Sequence, residues 1–233
     1  MNTASNFSAH PRIEWAHIVA TGSQAHTFLQ GQLTQDLTAL VDEPRWSLVL
    51  APDSVVVGSC LVTRDGDDLI LSVERSLAEK VRARLARFLL RTECRLTIVD
   101  VDAGPFGDDD VRVRANWPGA PEFAAGLTPH SFGATFVATT VSFTKGCFTG
   151  QELVGRLDAR GSRVPWRLVR ASGPDRASVD AVLTSKGPAG PQGLTTVCSS
   201  DDGVEGIGLA HRSLLGPVGE PVRVDDVLIT LIE

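Results

Sequence analysis

The sequence predicts an α+β body over residues 1–163 followed by a small antiparallel β-barrel over residues 164–233. Three observations predict it. Before residue 75, strand-like runs follow one another with polar turns between them, as in an antiparallel meander. A long amphipathic helix comes next. After Gly161 the texture changes to short β-rich runs split by Gly/Pro segments, with no convincing helix. A small barrel buries such strands without leaving edges.

Composition sets the outer limits. The chain has 233 residues, 42% hydrophobic and 21% charged, the balance of a globular protein. Its net charge of −6 argues against a general nucleic-acid binder. Met1 to His10 is polar and lacks a basic start with an apolar run behind it, so no secretory signal is expected. No apolar run approaches the ~20 residues of a membrane span. The four cysteines, Cys60, Cys94, Cys147 and Cys198, are not spaced as C-x-x-C, so no metal site or redox pair is indicated. Free thiols in a cytoplasmic protein are the expectation.

Each element then has its reason. Ile13 to Val19 is a short strand. Thr21-Gly22-Ser23 starts a helix carrying Ala25, Phe28 and Leu29, which leads into the polar stretch Gln30-Gly31-Gln32-Leu33-Thr34-Gln35-Asp36. Those side chains either line a site or satisfy the loop backbone. Trp46 to Leu50 and Val55 to Val62 are strands joined at Pro52-Asp53, and Leu69 to Val73 is a third. Ser76 and Glu79 have capping-box spacing ahead of a helix whose Leu77, Val81, Leu85, Phe88 and Leu89 form one face. Its arginines read as a solvated face, or as a docking surface for something anionic. Arg95 to Val101 and Val111 to Ala115 are read as strands, with Gly104 to Asp110 as the polar turn between them. Trp117 to Glu122 is a rigid connection, and a short helical or irregular segment starts at Thr128. In the C-terminal part, strands are expected at Arg167 to Ala171, Leu194 to Cys198, Gly206 to Ala210 and Val222 to Ile232. Asp225-Asp226 turns the last run into a hairpin.

The stretch with the most chemistry is Lys145-Gly146-Cys147-Phe148-Thr149-Gly150-Gln151-Glu152. Thr149 and Glu152 have the spacing of a capping box, with Phe148 and Leu153 as its hydrophobic staple. The helix would run to Gly161. Cys147 would then lie just before a helix N-terminus with Lys145 beside it, and both favour a thiolate. On spacing alone Cys147 is either such a functional thiol or a small buried residue at a tight Lys-Gly turn.

This octapeptide, with Arg156 after it, resembles the signature of the YgfZ family of folate-binding proteins. That family belongs to the superfamily of the glycine-cleavage T protein, a folate-dependent aminomethyltransferase. Phe28-Leu29-Gln30-Gly31-Gln32-Leu33-Thr34-Gln35-Asp36 resembles the family's N-terminal motif, and the arginine-rich helix ending at Arg91 falls where the family has one. The resemblance implies a glycine-cleavage T-protein-like body of two ferredoxin-like pieces, intertwined over residues 1–163, with a C-terminal antiparallel β-barrel. It implies a central cleft for tetrahydrofolate, and a role in iron–sulfur cluster assembly or repair that includes the clusters of tRNA-modifying enzymes. Its partners would be folate and iron–sulfur enzymes or cluster-assembly proteins, with no direct nucleic acid or membrane contact. Cys147 and Lys145 would carry the chemistry, and no metal would be stably held. Gln30, Gln32, Thr34, Asp36, Ser131, Gln151, Glu152 and Arg156 would line the folate site. Glu152 and Arg156 are equally readable as a helix cap and a surface pair.

Two departures stand out. Ser131 occupies the position where the family carries a glutamate for the pterin ring. A hydroxyl offers one weaker contact where a carboxylate accepts a bidentate pair, so tetrahydrofolate binding should be weakened. Ser54 and Val55 replace a glycine and a basic residue after Pro52-Asp53. Three readings follow. The chain is an accessory protein of this type rather than an enzyme, a folate-dependent one-carbon transferase, or a partner-binding relative that has lost tight folate binding.

Overall fold

A computed structural model describes residues 12–38, 43–200, 203–217 and 220–233. The polar start, Met1 to His10, lies outside the described residues. Alternating apolar residues build the first sheet from β1 (Trp15–Thr21), β2 (Arg45–Leu50), β3 (Val56–Asp65), β4 (Asp68–Glu74) and β5 (Arg95–Val101). Its order is β2-β3-β4-β1-β5, and every pairing is antiparallel. Along β1, Ala16, Ile18 and Ala20 alternate and are fully buried, which fixes that strand's register against both neighbours. Helix α1 (Ala25–Gln32) leaves β1 with Ala25, Phe28 and Leu29 buried. Helix α2 (Arg75–Ala86) buries Leu77, Ala78, Val81 and Leu85 across the sheet. Gly58 of β3 lets the helix in, since a Cβ there would lie 2.9 Å from Val81 Cγ2.

Between the sheets in sequence, residues 109–159 carry short helices joined by loops. They form α3 (Asp109–Arg114), α4 (Ala120–Phe123), a 3-10 turn (Pro129–Phe132), α5 (Ala134–Thr140) and α6 (Gln151–Ala159). The second sheet then holds β6 (Trp166–Gly173), β7 (Gly193–Ser200), β8 (Gly203–His211), β9 (Val222–Val224) and β10 (Val227–Leu231). Its order is β7-β8-β6-β10-β9, again all antiparallel. The two sheets share one core. Leu168, Ile207, Leu209 and Ile232 pack in the same cluster as Leu48, Phe132 and Val154. The expected Asp225-Asp226 turn is present, with Val224 paired to Val227 and Asp225 at φ +52°.

Several expectations change. Val111 to Ala115 is helix α3, not strand, because the Asp108 carboxylate accepts from the Val111 N–H and caps it. The C-terminal part does contain a helix, α7 (Arg176–Leu183), capped by Asp175 accepting from the Ser178 N–H. It covers the second sheet with Val179 and Leu183. Eight residues between Gly/Pro segments give too short a period to read. Ser76 and Glu79 form no capping box. The chain enters α2 directly from β4, so Ser76 is already inside the helix and Glu79 pairs with Arg82 instead. The body is mixed α+β around one five-stranded antiparallel sheet among the described residues. The second sheet has β7 and β9 at its edges, without a pairing that closes a barrel among the described residues.

Candidate functional site

The two stretches that carried the chemistry in the sequence meet in space. Lys145 is the joint. Only 9% exposed, it donates from Nζ to the carbonyls of Gln30 (2.5 Å), Leu33 (2.7 Å) and Gln35 (3.2 Å). An ammonium has three protons, and three carbonyls take them. The cation is therefore held on the turn after α1, with all three protons on backbone carbonyls. Burial pushes the Lys145 pKa down to about 8, with the Asp36 charge opposing the shift. Nζ also lies 5.5 Å from the Phe148 ring centroid.

A second joint sits four residues on. Gly150, at φ +84°, is the N-cap of α6, so Thr149 is not. The Thr149 hydroxyl donates instead to Gln32 Oε1 at 3.3 Å, and no capping box forms. Ser54, itself at φ +69°, donates to the Gly150 carbonyl at 2.6 Å. A Cβ on Gly150 would lie 2.8 Å from the Ala51 carbonyl oxygen, so glycine is required for this approach. Between the joints Cys147 is exposed. It makes no hydrogen bond to the described residues that would bury or cap its sulfur.

Several of the residues assigned to folate are tied into the fold by hydrogen bonds. Gln30 donates to Asp36 Oδ1 and accepts from the Leu37 N–H. Asp36 Oδ1 also accepts from the N–H and hydroxyl of Thr38, bonds that hold its pKa down to about 2. Thr34 donates to the Thr140 carbonyl and accepts from the Leu48 N–H. Gln32 Oε1 accepts from Arg84 Nη1. Ser131 is buried in the 3-10 turn, away from this network in sequence. Gln151 is half-buried at the start of α6, while Glu152 and Arg156 pair with each other on its outer face at 2.6 Å. Gln30, Thr34 and Asp36 are thus tied into the loop, while no side-chain hydrogen bond is made by Ser131 or Gln151 among the described residues. Among the described residues, no group of three or more His, Cys, Asp or Glu side chains could hold a metal ion.

The sequence missed a second buried polar cluster. Arg112 is 1% exposed and all five of its N–H groups are bonded. Nε and Nη2 reach Asp109, Nη1 reaches Glu122 and the Trp117 carbonyl, and Nη2 also reaches Thr196 of β7. Thr196 in turn donates to Glu122. Gly119 is the wall of this cluster, because a Cβ there would lie 2.4 Å from Glu74 Oε1. The Arg112 and Glu122 spacing, ten residues apart across a Pro-Gly connection, offered no signal.

No family model matches the sequence, and no curated protein does. Among solved structures, the fold is similar to the glycine cleavage system aminomethyltransferase T from Bartonella henselae, with a TM-score of 0.56 and 14% identity. The match covers 95% of this chain and 84% of that one. At this identity the likeness concerns the fold. No helix among the described residues is long and apolar enough to cross a membrane.

Proposed function

We propose that this chain is an accessory protein of the YgfZ type that serves iron–sulfur cluster assembly or repair through the Cys147 thiol. The observation that supports it is an exposed cysteine on a loop fastened on both sides, by Lys145 before it and by Thr149 and Gly150 after it. Such a loop presents sulfur at a fixed place to a partner. An ordinary cluster takes four thiolates, so Cys147 acts as a single ligand or reactive thiol toward a client that supplies the others. Lys145 is a positioning residue that shapes the loop. Clients that modify tRNA belong to this reading, as does a cytoplasmic site of action.

The folate part of the resemblance has less support. The fold is that of an aminomethyltransferase, but fold is not function. Gln30, Thr34 and Asp36 are tied into the loop, and Ser131 brings no carboxylate. This favours a relative that has lost tight folate binding over a one-carbon transferase.

Cys147→Ala is expected to abolish restoration of a client iron–sulfur enzyme in cells lacking the protein, with the melting temperature unchanged because the side chain is exposed. A variant that restores as well as wild type overturns the reading. Calorimetric titration with tetrahydrofolate tests the second point, and tight binding would return weight to the transferase. Tryptophan fluorescence is a poor substitute. Trp15, Trp46 and Trp117 all gather around Phe106, with ring centroids 6.5, 5.9 and 6.2 Å from it.

A further inference from the structure

A cleft of about 310 Å³ lies where α5, α6 and β6 meet, and Cys147 does not line it. It has room for about ten waters at the ~30 Å³ each occupies in the liquid. One wall is apolar, made by Val137, Ala138, Val141 and Phe143, the last 43% exposed at the mouth. The other wall carries His130, Asp158 and Arg167. His130 is 2% exposed, and neither ring nitrogen has a hydrogen-bond partner. The nearest carboxylate oxygen, Asp158 Oδ1, is 4.0 Å from Nε2, too long for a hydrogen bond. Nε of Arg167 is likewise buried and without a partner. Leaving such groups unmade is costly in a folded protein. Water alone suits the polar wall but not the apolar one.

We propose that this cleft binds a small uncharged ligand carrying a carboxamide on an apolar body. The free groups are two donors, the imidazole N–H and the Arg167 Nε–H, and one acceptor, the other imidazole nitrogen. A carboxamide supplies one carbonyl and its own N–H, which matches that set. The charges argue against an anion. Burial keeps His130 neutral by lowering its pKa, with Asp158 opposing. Burial lowers the Arg167 pKa and Glu233 opposes that, while Asp158 in the same wall would repel a carboxylate. The apolar body rests on Val137 and Val141.

The test uses the full chain with labelled valine methyl groups, titrated with benzamide and with benzoate, its charged counterpart. Benzamide is expected to shift the Val137 and Val141 methyls saturably, and to leave those of Val179 and Val182 in α7 unmoved. Benzoate should bind at least about tenfold more weakly. Ala138→Leu, at an exposed helix position, narrows the mouth and should weaken benzamide by about tenfold or more. His130→Phe keeps the ring and removes both nitrogens, and should weaken it about tenfold. The proposal fails if the Val137 and Val141 methyls show no saturable shift. It fails equally if benzoate binds as well as benzamide, or if affinity is unchanged in either variant. Should His130→Phe not fold, the probe pair and Ala138→Leu still decide.

Discussion

Lys145 and Arg112 are both buried cations that fasten distant parts of this chain, but they do so with opposite electrostatics. Lys145 holds α6's loop to the turn after α1 through neutral carbonyls alone. Burial therefore dominates and its pKa falls to about 8. Arg112 holds α3 and α4 to β7 with two carboxylates. Burial lowers its pKa too, but Glu122 and Asp109 outweigh that, and the net shift is upward. The Arg112 joint is thus permanently charged. The Lys145 joint, which sets the Cys147 loop, can lose its proton at mildly alkaline pH.

The contrast can be broken most forcefully at Glu122. Glu122→Ala leaves Arg112 buried with Asp109 and the weaker charge of Glu74 to balance it, and should cost about 3–5 kcal/mol, the usual loss when one partner of a buried pair is removed. Urea denaturation measures it. A loss no larger than that of a surface pair would show that the second sheet is held by its apolar core alone. The next effect is a pH dependence at Lys145. Between about pH 8 and the ordinary lysine value of 10.5 the unfolded chain binds the proton and the folded chain does not. Stability should therefore rise with pH across that window. Lys145→Met should flatten this rise in denaturation midpoints taken against pH. A wild-type profile already flat would show that the carbonyls hold the charged form as firmly as carboxylates do.

Asp36 sharpens the comparison at smaller scale. It is the charge that opposes the fall in the Lys145 pKa. Asp36→Asn should move the stability rise to lower pH, read from the same midpoints. Its own pKa is held down to about 2 by Thr38 and Gln30, so the stability it adds is present above pH 3.8 and lost as pH falls toward 2. The smallest effect belongs to Arg156. Its pair with Glu152 is exposed, and Arg156→Ala should change stability by no more than about 0.5 kcal/mol. A larger change would mean that α6 depends on this pair rather than on Val154 in the core.

Much of the fold was legible because periodicity and turn chemistry are local. The strands from Trp15 to Val101 follow alternation, α2 follows the Leu77-Val81-Leu85 stripe, and Asp225-Asp226 makes its turn. The misses were also local contests that a pattern could not judge. Two valines in residues 111–115 look like strand until Asp108 caps them. Ser76 and Glu79 look like a cap until β4 runs straight into the helix. For the site, the sequence singled out two stretches that the fold brings into contact, and left open what their side chains do.

By itself, then, the sequence determined the strands of both sheets and the turn glycines and aspartates, and it singled out the stretch around Cys147 as the one to ask about. These follow from the preferences of neighbouring residues. Only the tertiary structure decided that Lys145 fastens its loop to the turn after α1, and that Arg112, Glu122 and Thr196 form one cluster. It alone showed His130 buried beside a cleft with both nitrogens unpaired. Each of these is set by partners dozens of residues away, or by the absence of one. Burial and hydrogen-bond satisfaction are properties of the packed chain, and no spacing in the sequence encodes them.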